Sequence, residues 1–162
     1  MRRLLTGMGL ALILISLFSA VYAANADTIT IEYPNGNRTA LMNGDYMMNG
    51  GTVYIKPNPM LGLLPFAVPG KGIWWIGDEK KLVFAFMDTD DYMKERFSIK
   101  VGEHKFMDNG NEYELRQEAV LQDGRVYLPV RAIAEAYGYS VHYANNNGTI
   151  VISIQGEISS TH

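Results

Sequence analysis

Cysteine is absent from all 162 residues, which excludes disulfide staples, thiol nucleophiles, thiolate metal sites and a lipid-modified cysteine behind a leader. Basic charge is also scarce. The chain carries 14 Lys and Arg against 17 Asp and Glu, and Arg2 and Arg3 lie in an apolar N-terminal segment. Without that segment 12 basic residues face 17 acidic ones, a formal charge of −5. A nucleic-acid partner is therefore not expected, because binding phosphates requires clustered cations that displace counterions. Histidine is rare too: His104, His142 and His162 are the only three, and no two are spaced as a helix or strand metal pair.

Only one long apolar run is present. Met1-Arg2-Arg3 opens a basic stretch, Leu10 to Phe18 is apolar, and small residues follow at Val21-Tyr22-Ala23 and Ala24-Asn25-Ala26. Those are the three parts of an export leader, with cleavage fitting after Ala23 or Ala26. An uncleaved anchor of about 20 residues is the alternative, but Gly7, Gly9, Ser16 and Ser19 dilute the run. The reading is residues 1–26 as signal peptide, no membrane span after cleavage, and a secreted, cell-envelope location. What remains suits one domain or two small, closely packed units.

The mature part predicts short strands separated by turn residues. Thr28 to Tyr33 alternates polar and apolar and stops at Pro34-Asn35-Gly36-Asn37. Asn43-Gly44 and Asn49-Gly50-Gly51 bracket a weak strand, and Thr52 to Ile55 is another. Pro57, Pro59, Pro65 and Pro69 exclude a long helix between Lys56 and Gly72. Ile73–Ile76 and Lys81–Phe86 read as a hairpin whose second arm is apolar on both faces, hence a central strand. Phe97, Ile99 and Val101 alternate with polar residues. His104–Phe106 and Glu112–Leu115 follow, with Asp108-Asn109-Gly110 as their turn. Pro129 to Tyr137 is the one good helix: Val130, Ile133, Ala134 and Tyr137 form an apolar face, and Gly138 ends it. Ser140–Tyr143 and Thr149–Ile154 form a closing hairpin, and 157–162 reads as a disordered tail.

A weak internal repeat is also visible. Val53-Tyr54-Ile55-Lys56-Pro57 corresponds to Val126-Tyr127-Leu128-Pro129, and each precedes an aromatic strand, a turn and an apolar strand. Two copies predict a paired, pseudo-symmetric arrangement rather than a solenoid. The expected fold is α+β and mostly β. It has related units at 27–96 and 97–156, with the single packed helix in the second.

The stretch from Gly124 to Gly138, GRVYLPVRAIAEAYG, followed by Val141-His142-Tyr143 and Thr149-Ile150-Val151-Ile152, resembles the copper amine oxidase N-terminal-like (stalk) domain family of secreted bacterial proteins. Arg125, Pro129, Arg131, Glu135 and Gly138 carry the motif. The clear likeness covers about Phe97 to Ile154, with Ala26 to Met87 as a degenerate copy that lacks the helix. Tyr137 stands where the family usually has Leu, and Tyr143 where it has Trp. The resemblance implies a β-rich, non-catalytic accessory module of the cell surface. In the oxidases this unit is a stalk remote from copper, so no cofactor is implied here.

Candidate chemistry can be weighed residue by residue. Met42, Met47, Met48 and Met60 lack the repeated spacing of a thioether copper site and read as core filler. Asp88, Asp90 and Asp91 lack the glycine and distal glutamate of a calcium loop and read as a solvated connector. Ser98, Ser140 and Ser153 lie within strands, outside any nucleophile motif. Arg131 and Glu135, one helical turn apart, read as a structural pair pinning the helix to nearby carbonyls.

Trp74 and Trp75 are the candidate ligand-binding residues. Alternation predicts one in the core and one at the surface. A surface indole stacks on a sugar or anchors a protein, unless Leu61, Leu63, Leu64 and Phe66 fold over it, which is the more economical arrangement. The leading expectation is a non-enzymatic binding or scaffolding module acting on peptidoglycan or an envelope protein. The alternative is a small secreted enzyme or enzyme inhibitor acting on wall polymers.

Overall fold

A computed structural model describes residues 28–64, 72–87, 93–146 and 148–156. The expected leader, the Asp88/Asp90/Asp91 connector, Phe66, His162 and the C-terminal tail lie outside the described residues. Among those described, no helix is long and apolar enough to cross a membrane.

Among the described residues, thirteen strands and two helices follow one another. β1 (Thr28–Glu32) and β2 (Arg38–Leu41) form a hairpin, and so do β3 (Tyr46–Asn49) and β4 (Thr52–Ile55). α1 (Pro57–Met60) is a single turn. β5 (Gly72–Ile76), β6 (Lys81–Met87), β7 (Met93–Lys100), β8 (Lys105–Asp108) and β9 (Asn111–Glu114) then run as an antiparallel meander. β10 (Val120–Gln122), β11 (Arg125–Pro129), α2 (Val130–Ala136), β12 (Ser140–Asn146) and β13 (Thr149–Gln155) complete the chain. The mostly-β, α+β fold expected from the sequence is what the structure shows, with α2 as its packed helix.

The strands form three sheets, ordered β12-β13-β1-β2, β10-β11-β4-β3 and β5-β6-β7-β8-β9. Each sheet draws strands from both sides of the Arg96/Phe97 division, and that division falls inside β7. The first strand pairs parallel with the last, Thr28 opposite Thr149 through Glu32 opposite Ser153. The two repeat segments pair with each other: β4 and β11 run antiparallel, with Ile55 opposite Leu128 and Tyr54 opposite Pro129. β3 flanks one and β10 the other, so this sheet is symmetric about the β4–β11 seam. α1 follows β4 as α2 follows β11; one helical turn therefore occupies the helix position in the proline-rich copy.

Local chemistry explains the elements. Asp123 and Gly124 both adopt positive φ, the two-residue turn that matches strand twist in a hairpin. α2 ends where Gly138 takes φ +86°. The Tyr139 amide then donates to the Ala134 carbonyl and the Gly138 amide to that of Glu135, closing the helix with a Schellman motif. The apolar face read from the sequence is buried throughout: Val130, Ile133, Ala134 and Tyr137. One core cluster takes side chains from all three sheets, including Ile29 and Ile152, Ile55 and Leu128, and Phe84, Phe97 and Phe106.

Candidate functional site

The five-stranded sheet carries the features that bear on function. Its core face bears Leu82, Phe84, Phe97, Ile99 and Phe106. An aromatic chain runs from Phe84 edge-on to Phe97, then Phe106, which stacks on Tyr113 at 4.9 Å, and ends on Tyr137 of the α2 C-terminus. β6 is buried from Leu82 to Ala85, on both faces, as expected of a central strand.

β5 lies at the end of that sheet, and there both tryptophans meet solvent. Trp74 is 38% exposed, Trp75 42% and Ile76 38%. The expectation of one core and one surface indole is thus corrected. Alternation does put them on opposite faces, Trp74 opposite Val83 and Trp75 opposite Leu82. A strand at the rim, however, leaves side chains of both faces partly uncovered, and periodicity carries no information on lateral position. Leu63 and Leu64, expected as a cover, are instead buried in the main core.

Trp74 is held in a defined pose. A Cβ on Gly72 would fall inside its indole ring, so the ring lies along the strand over Gly72. Gly72 pairs with Ala85 and Trp74 with Val83, and both of those outer-face side chains are buried. Only glycine at this position leaves the indole in that pose.

The outer face of the same sheet forms an open groove of about 650 Å³. Its charged side chains answer one another. Lys81 Nζ donates to Glu95 at 2.8 Å, Ser98 Oγ donates to the other oxygen of Glu95 at 2.6 Å, and Lys105 donates to Glu112 at 2.9 Å. Burial pushes the Glu95 carboxyl up, but the Lys81 and Ser98 hydrogen bonds and the Lys81 charge outweigh it, leaving Glu95 below its ordinary value. Glu95 is thereby held ionised, the reverse of a poised general acid.

A buried polar joint lies beneath. Asp108, 4% exposed, stands 3.0 Å from Arg96 Nε and accepts a 3.1 Å hydrogen bond from the Tyr137 hydroxyl. The Arg96 N–H is not aimed at the nearer carboxylate oxygen, so that contact is Coulombic. Burial raises the Asp108 carboxyl above its ordinary value, and Arg96 and Tyr137 pull it back only in part. Burial and the adjoining carboxylate push the Tyr137 phenol far up. Tyr137, a departure from the resembled family's pattern, thus ties α2 to the meander. Asp108, expected in a turn, is a buried strand-end anchor; its following Asn109-Gly110 is the turn.

The remaining motif residues have structural surroundings. Arg125 is exposed at the start of β11, opposite Gln122. Pro129 ends β11, opposite Tyr54, and caps α2 with extended backbone, so the helix begins at Val130, one residue after the expected start at Pro129. Arg131 does not reach carbonyls as expected: its guanidinium sits 4.6 Å over the Tyr143 ring and 3.7 Å from Glu135. The second departure, Tyr143, supplies the π face for that cation.

Metal donors do not converge among the described residues, where no three His, Cys, Asp or Glu side chains gather. His104 lies in the meander region with Nδ1 3.2 Å from the Leu115 carbonyl, and His142 is exposed on β12. Met60 is fully buried, Met47 partly so, and Met42 and Met48 are exposed.

No curated protein and no solved structure matches the chain. Residues 64–152 match the copper amine oxidase N-terminal domain, a non-catalytic domain family. That span starts beside α1 and runs to the middle of β13, taking in the whole meander, the α2 motif and its closing hairpin. The chain belongs to the copper amine oxidase N-terminal domain family.

Proposed function

We propose that the protein is a non-catalytic binding and scaffolding module of the bacterial cell envelope, exported by its leader, with peptidoglycan glycan as the ligand of β5. The exposure of both tryptophans on one rim strand carries this reading. Indole faces stack on the apolar faces of sugar rings, and a rigid sheet edge presents them without a large ordering cost. Trp74 lies over Gly72 with its indole still partly open to solvent. Membership in a non-catalytic domain family supports the absence of turnover, and so does the pairing of Glu95 with Lys81 and Ser98 and of Glu112 with Lys105 in the groove.

An envelope protein is the second reading. The observation in its favour is that apolar side chains are exposed on both faces of β5, whereas a sugar ring stacks on one.

The test is pelleting of the chain from Asp27 to His162 with isolated peptidoglycan, beside a Trp74→Ala/Trp75→Ala variant. Saturable pelleting that the variant loses is expected. Equal pelleting of both, or none by the folded protein, removes the glycan reading.

A further inference from the structure

On the outer face of the five-stranded sheet, lysines stand abreast. Lys81 on β6 is directly opposite Lys100 on β7. Continuing the register in which Ile99 faces Phe106 brings Lys105 of β8 alongside Lys100. Lys105 in turn faces Glu114 of β9. Like charges side by side on a sheet are unfavourable, so this row needs counter-charges. Lys81 and Lys105 have close ones, Glu95 at 2.8 Å and Glu112 at 2.9 Å. The middle lysine does not: Lys100 Nζ stands 3.9 Å from Glu103, with both side chains partly exposed. Glu114 is left over at the end of the row. Lys105 is committed to Glu112, and among the described residues Glu114 has neither a hydrogen bond nor an ion pair, acting on Lys105 only through space.

A weakly answered cation and a weakly answered carboxylate thus lie two strands apart, about 10 Å at the usual strand spacing. Both line the open groove of about 650 Å³, a volume ordinary for small-ligand sites, which Ser98 and the half-buried Met107 also line. The turns that bound this end of the sheet, 77–80 and 101–104, are both described.

We infer that the groove binds a short zwitterionic peptide, its carboxylate on Lys100 and its ammonium on Glu114. Charge complementarity selects this occupant. The described lining holds three lysines and four glutamates, so a polyanion meets surplus carboxylate and a polycation meets the lysine row. A molecule with one charge of each sign at this spacing is matched at both ends. Three extended residues span about 10 Å, which sets the length at a tripeptide. Trp74 lies on the same face, in the neighbouring row with Val83, Ser98 and Met107, so the sugar and the peptide of one wall fragment can reach both places. Peptidoglycan as the source of the peptide rests on the wall reading; the site itself does not.

Amide NMR spectra of the chain from Asp27 to His162, titrated with free trialanine to about 20 mM, test the site. Exposed ion pairs contribute little each, so a saturable Kd of about 1 mM is expected, with shifts centred on Lys100, Lys105 and Glu114. Acetylating the amino end or amidating the carboxyl end should each weaken binding at least about fivefold. Lys100→Gln and Glu114→Gln, at positions outside the buried core, should do the same while leaving the core resonances in place. Dialanine, spanning about 7 Å, should bind more weakly than trialanine. No saturable shift, equal binding of capped and free peptide, or shifts centred away from the row would each overturn the inference. Trialanine carries no sugar, so these outcomes are separate from the loss of wall pelleting in the Trp74→Ala/Trp75→Ala variant, which reads the glycan proposal.

Discussion

Replacing Tyr137 by Phe removes one oxygen and nothing else. The ring keeps its packing on Phe106 and Tyr113, at centroid distances of 5.3 Å each. What is lost is the 3.1 Å hydrogen bond to Asp108, a carboxylate that is 4% exposed. A hydrogen bond to a buried charge contributes about 1.5–3 kcal/mol. With a urea slope of about 2 kcal/mol/M, Tyr137→Phe should lower the unfolding midpoint by about 1 M at neutral pH.

The effect should depend on pH with a definite sign. Asp108 is raised above its ordinary value in the folded chain, so its ionisation opposes folding. The stability it contributes is complete below the unfolded carboxylate pKa and is lost as pH rises through the raised folded value. Tyr137→Phe removes a contact that favours the ionised form, which raises the folded value further and deepens that loss. The gap between wild type and variant should therefore be full at about pH 7 and shrink towards about pH 3.5. Urea titrations followed by circular dichroism at both pH values read it. A midpoint change corresponding to less than about 0.5 kcal/mol, or one that grows on acidification, would refute the assignment of Asp108 as a buried, raised carboxylate held by Tyr137.

Two further perturbations check the account elsewhere. Leu128→Ala empties a fully buried position on the β4–β11 seam and should cost about 2–5 kcal/mol in urea unfolding; a loss under about 1 kcal/mol would mean the seam is not packed as described. Gly72→Ala should swing the Trp74 indole off the strand, red-shifting tryptophan emission with little change in midpoint, since the obstacle is the end of a side chain. An unshifted spectrum would contradict the pose.

Local signals in the sequence were sufficient for much of this fold. The Val130/Ile133/Ala134/Tyr137 face and the Gly138 stop are each written in a few adjacent residues, and each stands as read. The likeness of Val53-Tyr54-Ile55 to Val126-Tyr127-Leu128 even indicated a paired arrangement. Not legible was which strands join: Thr28 lies beside Thr149, a pairing with no local trace. The rim position of β5 is of the same kind, and for that reason alternation misplaced one tryptophan. Asp108 was hidden differently. Its neighbours Asn109-Gly110 spell a turn, and nothing nearby in sequence shows that Arg96 and Tyr137 close over it. The cross-strand pairing of the groove lysines and glutamates had no local trace either.

The central claim is that β5 is the contact surface for wall glycan, and the protein carries its own probe. Its only two tryptophans, Trp74 and Trp75, both lie on β5. Titrating the chain from Asp27 to His162 with soluble peptidoglycan fragments, while following tryptophan emission and iodide quenching, reads that strand directly. The account predicts a saturable blue shift with protection from iodide as the indoles are covered. An unchanged spectrum and unchanged quenching across the titration would contradict it.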